Sequence, residues 1–159
     1  MDMLGVQGNI ASTYEALGRI EPALRMRRDV YSGTLKHCGE QHEDTLIEAN
    51  NYADALVNLE RLEEAKSLLR RTRPVARRVL GESNVITLKL LWVHAQTLYK
   101  DDSATLADLR EAVNTLEDSA RPLRRVYGRT HPVVAGTQYH LGQSRAALAA
   151  REAPSPGSP

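Results

Sequence analysis

Apolar residues recur along this chain at intervals of three and four, the spacing that gathers them on one face of an α-helix. Leu4, Ile10, Ala11, Tyr14 and Leu17 make a first stripe over 4–17. Ala23, Leu24, Met26, Val30 and Tyr31 make a second over 21–36. Leu46, Ala49, Ala53, Leu56 and Leu59 predict a third helix over 45–59, and Ala65, Leu68, Leu69, Val75, Ala76 and Val79 a fourth over 62–79. A fifth is predicted over 85–100 through Leu88, Leu91, Trp92, Ala95, Leu98 and Tyr99. Leu109, Ala112, Val113, Leu116, Leu123 and Val126 place a sixth over 106–127, and a seventh follows over 133–149.

The punctuation agrees with these stripes. Gly18, Gly39, Gly81 and Gly128 each follow a stripe, where a residue free of Cβ can turn left-handed and end the helix. Asp44 or Thr45 is expected to cap the third helix, and Ser83 or Asn84 the fifth, by accepting bonds from free backbone N–H groups. Pro22 and Pro132 stand in first turns, where a missing N–H costs little. Pro74 stands inside the fourth stripe, so a kink is expected near Arg70 to Arg73.

The pattern also repeats. Shifting the chain by 42 residues superposes Asn9 on Asn51, Ala11 on Ala53, Leu17 on Leu59, Arg19 on Arg61, Ala23 on Ala65, Gly39 on Gly81, Thr45 on Thr87 and Leu46 on Leu88. Gly128 follows Gly81 by 47 residues, and the segment 101–105 accounts for the excess at an exposed helical corner. Helical hairpins repeated at such a period stack into an array. Alanines at 11/23 and 53/65 let the two helices of a hairpin approach closely.

These residues resemble the tetratricopeptide repeat in its longer, kinesin light chain-like form. Gly39-Glu40-Gln41-His42, then Asn50-Asn51-Tyr52-Ala53, then Leu62-Glu63-Glu64-Ala65 follow that family's order, and Gly128-Arg129-Thr130-His131-Pro132 restores its His-Pro pair. The resemblance spans about residues 4–149. It implies an all-α solenoid of antiparallel helical hairpins wound as a right-handed superhelix, with units at about 4–38, 43–80 and 85–127, a closing helix over 132–150 and a disordered tail over 151–159. Ser83-Asn84 stands where the third unit would carry His-Pro, and Val93 where it would carry the counterpart of Asn51. The heptad coiled coil of the light chain is absent from this sequence.

Composition narrows the function classes. The core is built without Phe and with a single Trp, and the net charge of +1 gives no general attraction to nucleic acid or anionic membrane. One cysteine, Cys38, excludes an internal disulfide and fits a reducing, cytoplasmic setting. No run of apolar residues is long enough to span a bilayer, and no secretory signal is visible. His37, Cys38 and His42 are too few and too local for a metal site. No nucleophile triad or phosphate loop is present, so neither catalysis nor a cofactor is expected. The Arg run at 70, 71, 73, 77 and 78 reads as a solvated convex helix face, partly paired with Glu60, Glu63 and Glu64.

The resemblance implies that first helices line a concave groove for a peptide or partner helix, with an Asn at position 51 contacting peptide backbone. An amide side chain suits this, since it both donates and accepts. Asn9, Asn51 and His140 are the groove candidates, Val93 interrupts the row, and Asn50, Asp54 and Asn58 share the surface. The expected function is a non-catalytic protein-interaction scaffold holding a short extended or acidic segment. The alternative is a spacer or cap within a longer array. The 39–81 unit matches the repeat best, so amide hydrogen exchange should be slowest there and faster outward; uniform protection along the chain would contradict this ordering.

Overall fold

The computed structural model describes residues 3–153, and among these every regular element is an α-helix. In chain order they are α1 (Met3–Ala16), α2 (Ile20–Cys38), α3 (Glu43–Asn58), α4 (Leu62–Leu80), α5 (Val85–Tyr99), α6 (Leu106–Tyr127) and α7 (Pro132–Glu152). The chain divides into two compact units, one ending at Val93 and one beginning at His94, both within α5. In the first, α1 packs on α2, α2 on α3 and α3 on α4; in the second, α6 packs on α7.

The first unit is held by one apolar cluster in which Leu24, Leu46, Leu56, Leu69 and Leu90 are buried. Ala11, Ala23, Ala53 and Ala65 are each completely inaccessible to solvent, as expected of small residues where helices cross. Val93 also belongs to this cluster, at 4% exposure. It is therefore a core residue, and not an apolar gap in a row of groove residues.

Each hairpin ends in the same junction. Gly39, Gly81 and Gly128 close α2, α4 and α6 with φ/ψ of 84/169, 89/163 and 78/170 degrees. Only glycine enters that region without strain of about 1–3 kcal/mol. Three residues further on, a side chain caps the next helix. His42 Nδ1 accepts from the Asp44 N–H (3.2 Å), Asn84 Oδ1 from that of Ile86 (2.8 Å), and His131 Nδ1 from that of Val133 (3.2 Å). The cap of α3 is thus His42 rather than Asp44 or Thr45. Asn84 performs for α5 what histidine performs for α3 and α7. Thr45 acts elsewhere in the junction, where its hydroxyl donates to the Gly39 carbonyl at 2.7 Å and locks the turn from inside.

The corner inside each hairpin also repeats. After α1, Arg19 N–H bonds the Tyr14 carbonyl (2.8 Å) across the left-handed Gly18, whose φ is 70°. After α3, Arg61 N–H bonds the Leu56 carbonyl (2.9 Å) across Glu60, whose φ is 58°. α4 continues unbroken through Pro74. Of the acids expected beside the Arg run, Glu64 pairs with Arg61 at 2.7 Å and Glu63 with Lys66 at 2.7 Å, while Arg77 pairs with Glu82.

The second unit contains the five-residue insertion, which is ordered. Asp101 Oδ1 accepts from the Ser103 N–H and hydroxyl, and Thr105 and Asp108 form a reciprocal capping box at the start of α6. Arg151 reaches back from α7 and donates to the carbonyls of Ala104 (2.8 Å), Asp101 (3.2 Å) and Asp102. Glu152 pairs with Arg110 at 2.7 Å. α7 therefore runs past residue 150, and Arg151 and Glu152 are packing residues; the expected tail over 154–159 lies outside the described residues.

Glu60 is the one described non-glycine residue with positive φ, and it occupies the position that Gly18 fills in the previous hairpin. A left-handed conformation costs an L-residue roughly 1 kcal/mol more than glycine. Glu60→Gly should raise the unfolding free energy by about 0.5–1 kcal/mol, measured by denaturant titration, and Gly81→Ala should lower it by about 1–3 kcal/mol.

Candidate functional site

The first unit contains a cleft of about 460 Å³ between its two first-position helices. Gly5, Val6, Gly8, Asn9 and Ser12 of α1 form one wall, Glu48 and Asn51 of α3 the other, and Arg27 of α2 reaches in between. Helical spacing explains the walls. Gly5, Gly8, Asn9 and Ser12 fall on one face of α1, beside the side that buries Ala11. On α3, Asp44, Glu48, Asn51, Asp54 and Asn58 recur every three or four residues and form a polar stripe away from buried Ala49, Ala53 and Leu56.

Arg27 anchors the base. Its side chain is 10% exposed, and a buried guanidinium requires charge and hydrogen-bond partners. It has both: Nε and Nη2 each donate to Glu15 at 3.0 Å in a fork, and Nη2 also donates to Ser12 Oγ at 2.9 Å. This arrangement ties α2 to α1 and neutralises both charges. Across the cleft, Asn51 Nδ2 donates to Glu48 Oε2 at 3.4 Å.

Asn9 and Asn51 thus share one cleft. Asn50, Asp54 and Asn58 do not line it. Asn58 Nδ2 donates to Asp54 Oδ2 at 3.5 Å further along the stripe, and the Asn50 side-chain oxygen is buried without a hydrogen-bond partner. His140 lies in the second unit, where its Nδ1 and the Tyr99 hydroxyl share a 3.1 Å hydrogen bond and the rings stack at 6.3 Å. It is half-buried there. Sequence reasoning missed Glu48, Ser12 and Arg27. The three-residue step from Asn51 back to Glu48 was a readable signal for the first. The pairing of Arg27 with Glu15 joins two helices and had no local one.

Residues 49–85 match the tetratricopeptide repeat family. That stretch therefore reads as one tetratricopeptide repeat. Among solved structures, BtubC (BKLC) from P. vanneervenii is similar with a TM-score of 0.60 at 14% identity, over 99% of this chain and 67% of that one. A putative kinesin light chain from Podosopora anserina with nearly identical TPR-like repeats is similar with a TM-score of 0.50 at 18% identity, over 94% of this chain and 88% of that one. A single-residue variant of that protein gives the same values. No curated protein matches the chain by sequence. The fold is accordingly an all-α helical repeat of the solenoid class. Asn51, Ala53, Ala65 and Gly81 lie inside the matched repeat, and the His42 junction stands just before it. No described helix is long and apolar enough to cross a membrane.

Burial, with a smaller contribution from Lys100, holds the His140 imidazolium below its usual pKa of 6.5. Burial also pushes the Tyr99 hydroxyl up to about 12. Below pH 6.5 the unfolded chain takes up a proton that the folded His140 resists, so stability falls as pH drops from 6.5 towards the lower folded value. His140→Gln should flatten this part of the stability-versus-pH curve, measured by thermal unfolding between about pH 7 and pH 5.

Proposed function

We propose that this tetratricopeptide-repeat chain is a non-catalytic interaction module that holds an extended segment of a partner protein in the α1–α3 cleft. The repeat class supports an interaction scaffold. The observation that carries the finer reading is the meeting of Asn9 and Asn51, equivalent residues of successive repeats, in one cleft of about 460 Å³. That volume is in the range of sites that engage a few side chains and a length of backbone. Two amides 42 positions apart in sequence offer donor and acceptor groups to successive peptide units, whatever side chains the partner carries.

A second reading, a spacer stacked between other repeats, rests on a different face. Met3 and Ile10 on α1, and Leu17 just beyond its end, point one way and are exposed, Met3 by 74% and Leu17 by 67%. The corresponding face of α3 is covered: Tyr52 stacks on Tyr31 of α2 at 5.9 Å, and Leu59 packs on the core. The α1 stripe is suited to the same treatment by the second helix of another hairpin.

The test of the cleft is Asn51→Ala. Asn51 is half-buried and bonded only to Glu48. The variant should keep its helical circular dichroism and lose about tenfold in affinity for the best-binding peptide of a random nine-residue array, the worth of one or two hydrogen bonds. Unchanged affinity would remove the cleft from the binding surface.

A further inference from the structure

Resting on the cleft reading above, we propose that the segment the cleft accepts is a basic one, its backbone lying along Gly5 and Gly8 of α1 and an Arg or Lys side chain meeting Glu48. The repeat resemblance alone pointed to an extended or acidic segment. The charges and the space in the cleft point the other way.

The space comes first. Gly5 and Gly8 stand inside α1, where glycine weakens a helix relative to alanine. Neither has a conformational reason to be glycine, since both are helical and neither has positive φ. Neither has an internal packing reason. A Cβ added at either position would meet nothing within 4 Å. Gly33 of α2 is the contrast: a Cβ there would lie 2.9 Å from Leu4 Cδ2, so the Leu4 side chain of α1 occupies the space that glycine leaves. The glycines of α1 leave bare backbone facing the cleft, and with Ser12 they form a small-residue wall on which another main chain can lie in contact.

The charge comes second. Arg27, the one cation lining the cleft among the described residues, is taken up by its fork to Glu15. Glu48, on the opposite wall, accepts only from the neutral amide of Asn51 and has no cation partner among the described residues. Its surroundings reinforce it. α1 and α3 carry Glu15, Glu43, Asp44, Glu48 and Asp54 and no Lys or Arg at all. Within the four helices α1–α4, the Lys and Arg residues all fall on the second of each pair, Arg25, Arg27, Arg28 and Lys36 on α2 and Lys66, Arg70, Arg71, Arg73, Arg77 and Arg78 on α4. The near-zero net charge of the chain therefore conceals a division among α1–α4, with a negative field on the two helices that wall the cleft. A cation entering it gains a carboxylate. An anion meets one unopposed.

The experiment is a titration of the full chain, labelled with ¹⁵N, against three nine-residue peptides of one Gly/Ser/Ala scaffold that differ at two positions, carrying Arg, Gln or Glu. The Arg peptide should shift the amides of Gly5, Gly8 and Asn51 and bind about tenfold or more tightly than the Glu peptide, with the advantage shrinking as salt is raised. Glu48→Gln should abolish the difference between the three peptides while leaving the fold unchanged. Gly8→Ala should raise the melting temperature and weaken all three peptides, since the added methyl occupies the space of the ligand backbone. Equal binding of the three peptides, or preference for the Glu peptide, overturns the charge assignment and leaves the cleft reading standing. Tight binding retained in Gly8→Ala overturns the backbone path. If none of the peptides shifts these amides at millimolar concentration, while the array peptide does, the basic class is wrong; if the array peptide also leaves them unmoved, the cleft reading fails with it.

Discussion

The layout of the first unit turns on the junction at Gly39. That junction combines a backbone conformation strained for other residues, a hydroxyl from Thr45 that donates to the Gly39 carbonyl, and an imidazole from His42 that caps the following helix. All three act within the short segment 39–45, and together they set the direction in which α3 leaves α2. Because α2 is tied to α1 by the Arg27–Glu15 fork, that direction also decides how far α3 stands from α1. The cleft is what remains between them. Its width follows from a turn at its base rather than from contacts between its walls, which leaves both walls free to carry polar residues.

Local chemistry made the elements readable and left the site harder to read. The apolar stripes and the glycines that follow them located the helices to within a few residues, because burial on one face and a left-handed stop are both short-range signals. Capping was less legible. Aspartate and threonine are better known caps than histidine, and only the recurrence of His42, Asn84 and His131 three residues after a glycine shows that one acceptor position is filled by two residue types. Val93 was misplaced by the same trust in repeat register: equivalence in sequence says which helix a residue is on, while burial depends on what is stacked over it. His140 has the polar character of a groove residue, but Tyr99 lies 41 positions away in sequence, and nothing local foretold that pairing.

Separation of charge by helix is a property of the fold as much as of binding. Each second helix places basic residues in its last turn, Lys36 and His37 on α2, Arg77 and Arg78 on α4, and Arg124 and Arg125 on α6, where they oppose the negative end of the helix dipole. The acids of α3, Glu43 and Asp44, stand in its first turn, where the dipole is positive. Part of the contrast between the two helix sets thus serves helix stability. Glu48 and Asp54 lie beyond the first turn and have no such use.

Arg151 gives the insertion between α5 and α6 a different standing. Three carbonyls of that corner are satisfied by one guanidinium from the last turn of α7, across 47 to 50 residues of sequence. Corner and terminal turn therefore depend on each other. A lineage that shortened the corner to the tight form found between α3 and α4 would leave Arg151 without acceptors, and one that lost the final turn would leave the corner without a donor. Changes at the two ends of this unit should be found together or not at all.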